Sequence, residues 1–260
     1  MTSQESKKTA LEKLAGKWGT VIGYSIVYGI AIYAISIIAV KALEGLGQLV
    51  STIIEVPLSF GLIICMLKLF DNENTSIGEI FTEGFKNFGK AWSVAWFTFL
   101  KLIFPIIVFI ISMIIIFVGI AGMGASTYIS ASSSSSVDTS AAGIALIGFL
   151  MMFISMIFLF IKSYKYKLAY YVASDNPEMT GKEAVNKSEE LMTGKIGALI
   201  WLQISFIGWA FLACFTFGIG FIWLVPYMQF AEIAFYRGVA GAKNPTVKVE
   251  EYDDSNNSVE

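Results

Sequence analysis

From Ala91 to Val118 the chain runs for 28 residues with a single charge, Lys101. Thr20–Val40 and Gly143–Ile161 carry no charge at all. A helix needs about 20 apolar residues to cross a hydrocarbon layer ~30 Å thick. Runs of this length leave few alternatives to helices in lipid, because only hydrogen bonding within the segment satisfies the backbone there. The composition agrees: 56% of residues are hydrophobic and 15% charged, against about a quarter charged in a soluble domain. The sequence therefore reads as all-α, a polytopic helical membrane protein.

Six spans are expected, at about 20–42, 49–70, 91–118, 143–171, 198–215 and 221–239. A Ser- and Gly-rich stretch, Gly119 to Ala142 with Ser132–Ser136 unbroken, is expected to be a loosely ordered loop. Before spans one, three and five lie polar pieces with helical apolar spacing: Ala10, Leu11, Leu14, Ala15 and Trp18; Ile80, Phe81, Gly84, Phe85 and Phe88; Ala184, Val185, Ser188, Leu191 and Met192. Each can form an amphipathic helix at the membrane interface. Asp71-Asn72 recurs as Asp175-Asn176, and the capping pair Ser76…Glu79 recurs as Thr180…Glu183. Gly16-Lys17-Trp18-Gly19 has a counterpart in Gly194-Lys195-Ile196-Gly197. The expected design is thus three pseudo-repeats, each an interfacial amphipathic helix plus a transmembrane hairpin, at about 1–70, 71–172 and 173–240. Gly16, Gly19, Gly194 and Gly197 are the expected hinges, and residues 1–242 form one transmembrane domain.

Most lysines and Arg237 fall on the side of the chain that holds the three amphipathic pieces; the opposite loops offer only Lys41. By the positive-inside rule the amphipathic pieces and both termini are expected on the cytoplasmic side of the membrane. Residues 243–260, with two lysines against five acids, read as an acidic disordered tail. No cleavable signal peptide is expected, and Cys65 and Cys214, both in apolar runs, do not suggest a disulfide.

Phe206-Ile207-Gly208-Trp209, Phe217-Gly218-Ile219-Gly220, Trp223, Pro226-Tyr227 and Phe235-Tyr236 occur in that order, with Asp175-Asn176-Pro177 and Glu83-Gly84-Phe85 through Phe88-Gly89 upstream. Together they resemble a bacterial integral membrane family, domain of unknown function 975. The resemblance implies six spans and supplies no catalytic residues. The chain departs from the family pattern in the middle, where the Ser-rich stretch replaces a short apolar turn ending in Pro-Gly.

No histidine is present, which removes the commonest general base and metal ligand. The aspartates, at 71, 138, 175, 253 and 254, all lie outside the expected spans. Glu189-Glu190 reads as a solvated helix face. No phosphate loop or dinucleotide fingerprint is present, so neither an enzyme nor a cofactor or metal is expected. Glu55, Lys101 and Glu232 do lie within spans, where a charge near the centre costs ~2.5–3.5 kcal/mol. Glu55 and Lys101 either form an interhelical ion pair or stand apart, with Lys101 snorkelling and Glu55 protonated. Glu232 is expected to meet Arg237 five residues on. Lys162, Lys165, Lys167 and Tyr170 form a cluster that could face anionic lipid, or serve as an ordinary interfacial belt.

The expected partners are the bilayer, anionic lipids and other membrane proteins, and not nucleic acid. The functional expectation is a non-catalytic scaffold or accessory subunit. The alternatives are a transporter or lipid-handling protein, and protection against a membrane-active peptide.

Overall fold

The computed structural model describes residues 2–43, 45–132 and 140–241. Within them the chain is helical, in the order α1 (Ser3–Leu14), α2 (Trp18–Ala42), α3 (Gly47–Phe70), α4 (Glu79–Lys86), α5 (Phe88–Ser132), α6 (Ser140–Tyr166), α7 (Ala169–Asp175), α8 (Gly181–Met192), α9 (Ile196–Ile204), α10 (Ile207–Phe215) and α11 (Phe221–Ala240). Five stretches are long and apolar enough to cross a membrane: Trp18–Ala42, Gly47–Phe70, Phe88–Gly124, Ser140–Asp175 and Ile196–Phe215. The expected sixth span, within α11, is not among them. Gln229 sits at its middle and Glu232 and Arg237 in its second half, where most of its buried residues lie.

The core gathers Val21 and Tyr24 from α2, Phe60 to Phe70 from α3, Ala91 and Val94 from α5, α7, α8, Leu199 and Leu202 from α9, and Phe230 to Tyr236 from α11. Beyond this core the hairpins turn large apolar side chains outward. Tyr33 on α2, Phe104 and Phe117 on α5, Phe153 on α6 and Phe215 on α10 are all exposed. Only 11% of the most apolar stretch of Trp18–Ala42 is buried. Such a surface far exceeds what a soluble monomer shows to water; it suits lipid and marks a membrane protein.

The three amphipathic helices do not stand free at an interface. α1 packs on α9 and α11, α4 on α3, and α8 on α5, α6 and α7. Part of each apolar face is buried there: Ala10 and Leu14, Ile80, and Ala184, Val185 and Met192 are fully buried, while Leu11 and Phe85 stay exposed. α4 and α3 approach at backbone distance, since a Cβ on Gly84 would lie 2.6 Å from the Pro57 carbonyl.

The structure corrects the expected middle loop. α5 runs on to Ser132 and α6 starts at Ser140, leaving 133–139 outside the described residues. A Cβ on Gly119 would lie 2.5 Å from the Ala145 nitrogen, and Gly148 and Gly122 face Ile116 and Ala141 in the same way. Small residues that read as loop in water here allow two helix backbones to meet. Two expected spans are also broken. The fourth stops at Tyr166 and resumes as α7; the fifth breaks at Ser205-Phe206, between α9 and α10.

The four glycines expected as hinges fall into two kinds. Gly16 and Gly194 have φ of +76° and +74°, a region that strongly favours glycine. Gly19 and Gly197 instead lie in the first turns of α2 and α9.

Candidate functional site

The polar groups of the interior collect around the second half of α11. Arg237 is only 7% exposed. Its guanidinium bonds Asp71 at the end of α3 and Asp175 at the end of α7, with a second bond to Asp175 at 3.1 Å. A buried guanidinium is tolerable when carboxylates meet its fork of donors. Two carboxylates share this one cation, and burial, with Asp175 nearby, pushes the Asp71 carboxyl above its ordinary range.

The network continues toward the start of α11. The Tyr236 hydroxyl donates to Asp175 at 2.7 Å, and its ring stacks on Tyr171 with centroids 5.6 Å apart. The Tyr171 hydroxyl reaches Glu232 at 3.4 Å. Glu232 also accepts from Lys167 at 2.6 Å and from the Gln203 amide at 2.9 Å. Tyr164 donates to the Gln203 carbonyl oxygen. Beside this chain lies a cavity of about 250 Å³, whose lining includes Tyr28, Ser59, Met66, Tyr171, Gln229 and Glu232.

Two lysines cap helix ends near the Arg237 cluster. Lys17 donates to the Leu69 carbonyl and to Asn72, both at 2.6 Å. Lys90 donates to the carbonyls of Asn176 and Pro177, at 2.6 and 2.9 Å. Each therefore satisfies carbonyls where a helix runs out.

The order of these pieces along the chain bears on what the protein is. The family described as Protein of unknown function (DUF975) matches residues 1–243. The chain belongs to this family. No curated protein and no solved structure matches it.

In this DUF975 member the residues singled out from sequence are distributed differently from expectation. Glu55 and Lys101 are not paired. α8 lies across α5, so Lys101 reaches Glu189 at 3.1 Å, where Lys165 also arrives at 3.5 Å, while Glu55 stays on an exposed face of α3. Glu189 is thus an interhelical partner rather than a solvated acid; Glu190 keeps to the surface with Lys187. Glu232 does not meet Arg237: five residues apart on a helix of 3.6 residues per turn, the two point different ways, Glu232 to Lys167 and Arg237 to the two aspartates.

The basic and aromatic cluster turns largely inward. Lys165 and Lys167 hold acids, and Tyr170 packs its ring on Phe60 at 5.8 Å. Lys162 lines a separate apolar groove with Phe104, Pro105 and Phe158. Asp71, Asp175, Gln203, Lys17 and Lys90 were not identified from sequence as site residues. The recurring Asp-Asn dipeptide and the lone arginine were the available signal.

Proposed function

We propose that this DUF975 protein is a non-catalytic scaffold or accessory subunit of the bacterial cell membrane, with six spans in three repeats and both termini in the cytoplasm. The observation that carries the reading is how the interior charges are used. Arg237 ties α11 to α3 and α7, Lys167 is tied to α11, and Lys101 to α8. Groups committed to joining helices are poorly placed to act as nucleophile or base, whereas the outward apolar hairpins offer broad contact surfaces. The repeat is supported by Lys17 and Lys90, which sit near the start of α2 and α5 and each cap the end of a hairpin. Crosslinking in native membranes followed by mild solubilisation should yield an assembly heavier than the 28.5 kDa chain. Migration as a lone chain under several growth conditions would sink the proposal.

The cavity beside Glu232 favours a second reading, small-molecule or lipid handling. Gln229 lines it. With Cys65 and Cys214 replaced by serine, a Gln229→Cys variant in membrane vesicles should react with a small water-soluble thiol reagent. Protection from both sides would exclude that reading.

A further inference from the structure

The break in the fifth apolar stretch has an unusual neighbour. At Ser205 the chain leaves α9, and the Ser205 carbonyl accepts a hydrogen bond at 3.0 Å from the ammonium of Lys7, which belongs to α1. The same ammonium sits 4.4 Å from the centre of the Phe206 ring. An ammonium carries three donors, and Ser205 occupies one. Among the described residues no carboxylate pairs with Lys7. Burial lowers its pKa.

This unpaired cation borders a groove of about 470 Å³ between α1, the start of α2, α10 and α11. The walls include Leu11, Trp18, Trp209, Leu212, Trp223 and Leu224, and Lys7 is the one charged residue among the described residues of the lining. Trp209 and Trp223 are more than half exposed, so the groove opens on the apolar surface that lipid covers. Tryptophan suits the level where acyl chain meets headgroup. Among the described residues the lining contains no acid to receive the quaternary ammonium of a zwitterionic headgroup.

We propose that this groove binds an anionic phospholipid drawn from the bilayer, its phosphate held by Lys7 and one acyl chain lying along Trp209, Leu212 and Trp223. The site does not depend on the scaffold reading. It relocates the recognition of anionic lipid from the inward-turned lysines 165 and 167 to the N-terminal helix. It also gives α1 a role beyond covering the core: it carries a headgroup ligand to a gap in a membrane helix.

The test uses the full-length protein in mild detergent, with native mass spectrometry and thermal shift as readouts. The probes are dioleoyl phosphatidylglycerol and dioleoyl phosphatidylcholine. The wild type should retain phosphatidylglycerol preferentially and be stabilised by it. Lys7→Gln should weaken that binding about fivefold, the contribution expected of one lysine at an anionic headgroup, and so abolish the preference. Lys8→Gln, on the exposed side of the same helix, should leave it intact. Leu212→Trp should fill the groove and lose the lipid while keeping Lys7. Glycerol 1-phosphate, which has the headgroup chemistry without chains, should not compete. Equal retention of both lipids by the wild type overturns the proposal, as does a preference that survives Lys7→Gln and Leu212→Trp. Competition by glycerol 1-phosphate at matching concentration overturns the lipid assignment. Should Lys7→Gln fail to fold, wild-type selectivity and Leu212→Trp decide the matter.

Discussion

Arg237 shows how one side chain can set the cost of a whole interior. Its side chain is 6% exposed, and the two aspartates that hold it come from helices more than 100 residues apart in sequence. Removing one member of a buried ion pair costs about 3–5 kcal/mol, because the charge left behind has no water. Arg237→Met strands two acids and should therefore prevent purification of folded protein or lower its melting temperature steeply. Asp71→Asn removes the surplus carboxylate and leaves the Arg237–Asp175 bonds in place, so its loss should be well under half as large. Thermal unfolding in detergent compares them, and equal losses would mean the cluster is not organised around the arginine. The sequence contained the pieces, a lone arginine and two Asp-Asn dipeptides. It could not show that they converge, because nothing local links position 71 or 175 to 237.

At the scale of the element, local signals survived where the backbone alone decides. The Thr180–Glu183 capping box is present in full, and a further one, Thr2–Glu5, opens α1. Ser76 and Glu79 form only half a box, because a turn precedes α4 and Gly78 takes the capping position. The Glu79 carboxylate still accepts the Ser76 amide at 2.9 Å, and it pairs with Lys68 on α3 at 2.8 Å. The bond from Lys68, with that amide, holds the Glu79 pKa down at about 2, against 4.5 ordinarily. A depressed carboxylate adds stability above the unfolded pKa and loses it as pH falls through the folded one. The contribution should thus be complete above about pH 4.5 and vanish toward pH 2. Glu79→Gln should lower the melting temperature near neutrality, by roughly the 1 kcal/mol of a partly exposed pair, and should converge with the wild type in acid. A pH-independent gap would assign the effect to packing. Spans were legible wherever apolar residues ran unbroken. The Ser- and Gly-rich middle was not, since the same small residues serve a mobile loop or a close helix contact, and only the facing residue distinguishes them. Lys101 was ambiguous for the same reason: its partner, Glu189, lies on an element whose position no local pattern specifies.

For the molecule as a whole, the polar helices are the fasteners and the apolar hairpins project from them. α4 sits on α3, α8 on the pair α5 and α6, and α1 on α9 and α11, so the first helix is seated by the last part of the chain. Deleting residues 2–14 removes nothing long enough to cross a membrane. It should nevertheless destabilise the fold, because it uncovers the α11 surface that Ala10 and Leu14 bury and takes Lys7 from the Ser205 carbonyl. Limited proteolysis in detergent should then cut faster around 205 than in the full-length protein; unchanged cutting there would show that α1 is dispensable to the third hairpin.

That seating of α1 also constrains how the protein can be made. Translation delivers α1 before α11, so a nascent chain carries α1, with an apolar face uncovered, while the more than 200 residues between the two are made. During that interval the bilayer surface is the natural resting place for such a face. Docking requires closing a loop of over 200 residues, a contact of high sequence separation that belongs among the late events of folding. A chain terminated before Phe221 would leave α1 without its main seat and open to quality-control recognition. The N-terminal helix thereby reports on whether the C-terminal one has arrived.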